Sequence, residues 1–280
     1  AAGWSEPKKA WCCQNQGKGC ATPAKTCKLW GDPHIITFDG ANPSFYGDGD
    51  SWIVKSPTVQ IQGRFEGTKY TEGLAATNRI VVSGPFIKNH KIEIGTRESG
   101  VLHVDLQPVI KSFPSSYTSM DGSYKLTYDD QGEVPDVIPE GNEKRVFHMD
   151  LPLDVHVTVF QWSNYLDVTI QMPAQLGQDG ACGNYNGVAA DDTTERIMLR
   201  VGAEVTGGAS YLSGRATIEF TPQMEKMLAA ECPESRRVQV RGECTNTLAR
   251  ETAELDLKSC MFNMCFGDNP RARQRAKAYA

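Results

Sequence analysis

The chain has 280 residues, of which 40% are hydrophobic and 22% charged, and these ordinary globular values exclude global disorder. Its formal net charge is −5, whereas a nucleic-acid-binding protein would be expected to carry a basic excess or a basic stripe. No apolar run approaches the roughly 18 residues that a membrane-spanning helix needs. The composition therefore predicts a folded protein that neither binds nucleic acid nor inserts directly into a membrane.

The predicted elements begin with residues 1–26, a segment rich in Lys, Gly, Gln and Cys that has no periodicity and that we interpret as pinned by disulfides. From residue 30 to residue 172 the pattern is almost wholly that of strands. Five stretches alternate apolar and polar residues with period two, and turn residues separate them: 59–62, 91–94, 102–106, 155–159 and 166–172. Strands with one apolar and one polar face predict a mainly β fold, an antiparallel β-sandwich.

After Cys182 the pattern becomes that of helices. Thr221 followed by Pro222 is a typical helix start, because a threonine hydroxyl caps the helix and proline is tolerated in the first turn. Over residues 245–265, apolar positions seven apart predict a further helix, fastened by disulfides through its two cysteines. The predicted organisation is an N-terminal segment (1–26), a β domain (27–215), a small disulfide-linked α-helical module (216–268), and a basic linker or truncated continuation (269–280).

The nine cysteines are unevenly placed along the chain. Four lie within residues 12–27, four within residues 232–265, and Cys182 stands alone between them. Clusters around a cysteine-poor middle favour disulfides and an oxidising compartment, so we expect a protein that is secreted, extracellular or at the cell surface. Because the number is odd, at least one cysteine is free or is bonded to another chain. Reduced thiols or a zinc site are the alternative, but adjacent Cys12 and Cys13 do not match zinc-finger spacing.

Two segments carry a family resemblance. The first begins at Cys27 and reads CKLWGDPHIITFDG; the second begins at Gly180, reads GACGNYNG, and is followed closely by two aspartates. In this order, and with a strand pattern between them, they resemble the von Willebrand factor type D domain over roughly residues 27–200. The helical end is similar to a degenerate form of the eight-cysteine module that often follows such domains.

The second segment also predicts a calcium site. Oxygen-bearing side chains alternate along a glycine-bent loop, and calcium binds about six to eight oxygens in flexible geometry. Magnesium requires stricter octahedral geometry, and transition metals prefer nitrogen or sulfur ligands. The loop itself supplies Asn184, Asn186, Asp191 and Asp192, and the resemblance adds Asp39 and the carbonyl of Val188. The alternative is a solvated turn loop that binds no ion.

The resemblance further implies a disulfide between Cys27 and Cys182, which would close a loop of about 155 residues and bring the strand of Asp39 close to the calcium loop. Many family members have a Cys-Gly-x-Cys motif where this chain has Asp179 in place of the first cysteine. Residues 45–48 also lack a cysteine that several relatives carry. The resemblance therefore does not extend to the full cysteine scheme of the polymer-forming members.

The segment Asp32-Pro33-His34 has chemistry of its own. An Asp–Pro bond is labile because the carboxyl group can attack its own carbonyl, and His34 could assist proton transfer. Some relatives cleave themselves at this bond, but we expect an intact turn. The sequence contains no G-x-S-x-G, H-E-x-x-H or phosphate-loop motif, so we do not predict an enzyme.

These observations predict a calcium-stabilised structural or adhesive module of a larger extracellular assembly, whose partners are other protein chains or copies of itself. A lipid or ligand carrier, and a self-cleaving domain, are the alternatives. A carrier would have an apolar cavity, whereas an assembly module would have a filled core and exposed interface patches. The polar outer faces of the predicted strands favour a filled core.

Overall fold

The structure, a computed structural model, describes residues 23–31, 33–68, 73–100, 102–132, 143–201, 205, 209–216, 220–248 and 254–268. The predicted basic end, 269–280, and residues 1–22 of the predicted N-terminal segment lie outside this range, and so do Cys12, Cys13 and Cys20. Within the described residues, two antiparallel sheets enclose one continuous apolar core. The prediction of a mainly β fold with a disulfide-linked helical region is confirmed. No described helix has the length and apolar character that a membrane span requires.

The strands divide into two sheets. In chain order the described strands are β1 (Lys25–Trp30), β2 (His34–Ile36), β3 (Gly49–Lys55), β4 (Gln60–Gly67), β5 (Ala75–Ser83), β6 (Ile92–Gly95), β7 (Leu102–Val104), β8 (Gln107–Pro108), β9 (Ser115–Thr118), β10 (Lys125–Asp129), β11 (Val146–Leu151), β12 (Val155–Gln161) and β13 (Leu166–Met172). One sheet has the order β2-β1-β13-β12-β11-β10-β9, and the other runs from β3 to β8 without a crossover. The first strand therefore pairs with the last, which brings the two ends of the β region together.

Period-two burial explains why these segments form half-buried strands. In β13, Val168 and Ile170 are buried while Thr169 and Gln171 between and beside them are not. The predicted strand at 102–106 is shorter in the structure and ends at Val104. It ends there because the next two residues adopt positive φ values and turn the chain back into β8.

Four helices lie towards the C-terminal end of the described residues: α1 (Thr194–Val201), α2 (Pro222–Glu231), α3 (Glu234–Thr247) and α4 (Glu254–Phe266). The predicted start of α2 is confirmed, since the Thr221 hydroxyl accepts a hydrogen bond of 3.3 Å from the backbone N–H of Met224. The prediction of one helix over 245–265 is wrong. Leu248 is extended, with φ −76° and ψ 154°, so α3 stops before it and α4 is a separate helix.

Disulfides join the helices to one another, and buried hydrogen bonds hold them to the β region. Cys232–Cys265 and Cys244–Cys260 join α4 to the end of α2 and to α3. The side-chain oxygen of Asn263, on α4, accepts hydrogen bonds from the backbone N–H groups of Tyr46 (2.6 Å) and Gly47 (3.2 Å). Because these groups are buried, the contact satisfies donors that would otherwise be costly to leave unpaired.

Candidate metal site

A disulfide and a backbone hydrogen bond bring together the two segments that form the candidate site. Cys27 of β1 is bonded to Cys182, with an S–S distance of 1.97 Å and a Cα–Cα distance of 5.7 Å. The carbonyl of Cys182 accepts a hydrogen bond of 3.0 Å from the backbone N–H of Phe38. The turn after β2, which carries Asp39, therefore lies beside the loop that follows Cys182.

Asp39 sits in a tight turn with its carboxylate buried. The turn is closed by a hydrogen bond of 3.0 Å from the backbone N–H of Gly40 to the carbonyl of Thr37. The side chain of Asp39 is 0% exposed, and its Oδ1 pairs with Lys25 Nζ at 2.7 Å. Its Oδ2 is buried and has no hydrogen-bond partner among the described residues. The Oδ2 atom of Asp39 is thus available to a cation.

The loop from Gly183 to Asp192 is shaped by two asparagine turns. The Asn184 side-chain oxygen accepts a hydrogen bond from the backbone N–H of Asn186 (3.2 Å), and that of Asn186 accepts one from Val188 (2.7 Å). The amide nitrogens of both asparagines donate to Asp191 Oδ2, at 3.0 and 2.8 Å. The carbonyl of Val188 lies at 3.4 Å from the backbone nitrogen of Asp191. The structure therefore gathers these predicted residues into one loop.

Asp192 is the most buried member of the set, with a side chain that is 0% exposed. Its Oδ1 lies 3.3 Å from Arg200 Nη2, and Oδ2 is buried without a hydrogen-bond partner among the described residues. Desolvation raises the pKa of Asp192, and the nearby charge of Asp39 acts in the same direction, while the Thr37 hydroxyl and Arg200 oppose the increase. Burial is thus the dominant influence on the pKa of this carboxylate.

The neighbouring Asp191 behaves differently. Hydrogen bonds from the side chains of Asn184 and Asn186 lower its pKa, with a further contribution from the charge of Arg200. Amide donors thus dominate at Asp191 and favour its ionised form, whereas burial dominates at Asp192.

Three residues around the site were not predicted from the sequence: Lys25, Tyr185 and Arg200. Lys25 pairs with Asp39 and lies 4.7 Å from the centre of the Tyr185 ring. Arg200, on α1, bonds the Asp179 carboxylate (2.8 Å), the Asp191 carbonyl (2.7 Å) and the Asp192 carboxylate. The aromatic position in the second motif marks Tyr185, but no local signal connects either cation to these carboxylates.

The chemistry of these side chains is of the kind that calcium binds. Three carboxylate oxygens of the predicted set are buried and accept no hydrogen bond from a described residue: Asp39 Oδ2, Asp191 Oδ1 and Asp192 Oδ2. Unpaired buried carboxylate oxygens are costly, and an oxygen-seeking divalent cation would compensate them. As placed in the structure, no three or more His, Cys, Asp or Glu side chains of the described residues form a group that could hold a metal ion. Asparagine and backbone oxygens would therefore complete the coordination, because each carbonyl oxygen retains a second lone pair.

The predicted cleavage segment is described only in part. Asp32 lies outside the described residues. Pro33 is buried and its carbonyl accepts a hydrogen bond from Phe45 at 3.2 Å, while His34 Nδ1 lies 3.2 Å from the Ser44 hydroxyl. Cleavage of the Asp32–Pro33 bond stays an untested hypothesis.

Comparisons with known proteins agree with the resemblance. The family model of the von Willebrand factor type D domain matches residues 27–197. The human IgGFc-binding protein is 25% identical over 282 residues, covering 91% of this chain and 5% of that protein. Human Mucin-6 is 28% identical over 202 residues, covering 70% of this chain and 7% of that protein. The chain therefore spans only a small part of the length of either curated relative.

Proposed function

The chain belongs to the von Willebrand factor type D domain family, and on that premise we propose that it is a calcium-stabilised structural or adhesive module of a larger extracellular assembly. The observation that carries the proposal is a disulfide and a set of unpaired buried carboxylate oxygens in the same two segments. The Cys27–Cys182 disulfide joins two distant segments, and beside it three buried carboxylate oxygens lack partners among the described residues. A calcium ion at these oxygens would add a second, non-covalent link between the same two segments.

The cellular location follows from the disulfides. The described residues contain three of them, which are typical of an oxidising compartment, and the protein is accordingly secreted, extracellular or at the cell surface. Similarity to a mucin and to a protein named for binding IgG Fc supports protein chains as partners, either other proteins or copies of this chain.

The packing between the sheets supports a structural role over a carrier role. Large aliphatic side chains from both sheets, such as Ile61, Ile80 and Val157, are at most 1% exposed and belong to one continuous core. Such a core supports a rigid module, whereas a carrier needs an apolar cavity for its cargo. We therefore propose a structural module in preference to the carrier, and similarity to a mucin favours a non-enzymatic role.

Thermal unfolding with calcium and with a chelator tests the proposal. We expect calcium to raise the midpoint, in proportion to the logarithm of its excess over the dissociation constant. Asp192→Asn should abolish this increase, because the amide cannot replace the carboxylate charge at the ion. The variant should melt at the same temperature in calcium and in chelator, whatever its basal stability.

Asp130→Asn is the matched control, because Asp130 is exposed and lies outside the loop. This variant should keep the full response to calcium. Superimposable melting curves of the wild type in calcium and in chelator would overturn the calcium site, and so would an unchanged calcium response in Asp192→Asn.

A further inference from the structure

A cavity of about 360 Å³ opens at one end of the sandwich, away from the residues of the candidate calcium site. Residues of both sheets line it. One sheet contributes the connection between β6 and β7; the other contributes the segment before β9 and residues at the ends of β10, β11 and β12. The volume is at the small end of the range for small-molecule sites.

Three cationic side chains line this cavity: Arg97, Lys111 and Arg145. The two arginines are only 32% and 18% exposed, so they are partly shielded from water. Lys111 is exposed and has no hydrogen bond or ion pair with a described residue. Charges in a partly shielded cleft are screened less than those on an open surface, so the cavity attracts anions.

Glu143, which is not part of the cavity lining, shows that one carboxylate can contact both arginines. Its Oε2 lies 3.9 Å from Arg97 Nη2 and is also paired with Arg145 Nη2. The glutamate side chain is 64% exposed, and exposed ion pairs of this kind contribute little free energy. A carboxylate or sulfate arriving from solvent can therefore replace it at small cost.

The walls of the cavity are aromatic and fixed in place. The Arg145 guanidinium stacks on Phe113, with Cζ 3.4 Å from the ring centre, which leaves its edge N–H groups for in-plane hydrogen bonds. Tyr128 packs against Phe113 at 5.0 Å between ring centres. The Tyr128 hydroxyl donates to Gln161 (2.5 Å), whose amide donates to the Gly95 carbonyl (2.7 Å). The polar groups of the floor are thus already paired, and the rings offer an apolar surface.

We propose that this cavity binds a small organic anion, a carboxylate or sulfate group carried on a ring. The acidic group lies among Arg97, Lys111 and Arg145, where it displaces Glu143, and the ring packs against the aromatic and aliphatic wall. Arginine suits this task because its planar fork matches the oxygens of both acids. The site is independent of calcium binding and of the proposed assembly role.

Titration of the whole chain, followed by calorimetry or NMR, tests this proposal with two matched pairs of probes. Glucuronate and glucose compare an acidic with a neutral sugar, and phenyl sulfate and phenol compare an acidic with a neutral aromatic ring. We expect at least one acid to bind, its neutral partner to bind far more weakly, and added salt to weaken the binding. Absence of binding by both acids, or equal binding by a neutral partner, would overturn the proposal.

Three exposed substitutions locate the binding. Lys111→Gln should weaken binding by about two- to fivefold, the range for a partly exposed ion pair. Lys226→Gln removes the same charge from the exposed face of α2, where Lys226 likewise lacks a described partner, and should leave binding unchanged. Glu143→Gln should tighten binding because it removes the competing carboxylate. Equal effects of the two lysine variants, or weaker binding by Glu143→Gln, would refute the site.

Discussion

At the scale of the residue, Gly183 is the position on which the candidate site depends most directly. A Cβ atom there would lie 2.1 Å from Asp192 Oδ2, and the residue has a φ of +87°. Any side chain would displace the carboxylate that the calcium proposal requires. We expect Gly183→Ala to lose about 2–4 kcal/mol of unfolding free energy and to lose the calcium response, as measured by denaturant titration with calcium and with chelator.

Gly187 provides the matched control in the same loop. Its φ is +84°, but a Cβ atom there would meet nothing within 4 Å. Gly187→Ala should therefore cost only the backbone strain, about 1 kcal/mol, and keep the response to calcium. Equal losses in the two alanine variants would show that strain alone matters and that contact with Asp192 does not.

At the scale of the element, the turns at one end of the sandwich carry unusual backbone conformations. Three pairs of consecutive non-glycine residues have positive φ there: Lys88 and Asn89, Asp105 and Leu106, and Leu153 and Asp154. These turns connect β5 with β6, β7 with β8, and β11 with β12. Of the three, the β7–β8 connection is a two-residue hairpin, because Val104 pairs with Gln107. Such a hairpin favours positive φ values that match the strand twist, but it normally uses glycine to reach them.

A glycine at position 106, in the turn between β7 and β8, should increase the stability of the protein. Leu106 has a φ of +65° and is 64% exposed, so Leu106→Gly relieves strain and loses little buried surface. We expect a gain of about 0.5–1 kcal/mol, because relief of left-handed strain exceeds the entropy cost of glycine. Leu106→Ala, which keeps the strain, should give no gain. Chemical denaturation of both variants measures the difference, and a Leu106→Gly variant less stable than the wild type would show that the leucine side chain contributes packing.

At the scale of the whole molecule, the cysteine pairing narrows the search for the cysteine that has no partner within the chain. The disulfides of the described residues confine it to the N-terminal segment. The chain has nine cysteines, and six of them form the three disulfides. The other three, Cys12, Cys13 and Cys20, lie outside the described residues. Three thiols cannot all pair with one another, so at least one is free or bonded outside this sequence.

Mass spectrometry of the alkylated, unreduced protein checks this assignment. We expect a modified cysteine, or a linkage to another chain, among Cys12, Cys13 and Cys20, and no modification at the six bonded positions. Replacing the odd cysteine by serine should remove any covalent oligomer and leave the thermal midpoint unchanged. A free thiol at Cys182 or Cys244 would contradict the pairing described here.

Local patterns in the sequence determined the parts of the fold that depend on neighbouring residues. Period-two alternation located β13, and Thr221 with Pro222 located the start of α2, because burial and capping act over a few residues. The asparagine turns of the calcium loop follow from its composition in the same way. The family motifs added the partner of Cys27, which periodicity alone does not indicate.

Only the tertiary structure decided which distant groups meet. Asn263 of α4 bonds the backbone of Tyr46, which is 217 positions away in the chain, and Lys25 reaches Asp39 because β1 lies beside the turn after β2. The basic cavity depends on residues from several strands that the two sheets bring to one end of the sandwich. Such pairings depend on strand register and sheet packing over large separations along the chain, and a local sequence pattern carries no information about either.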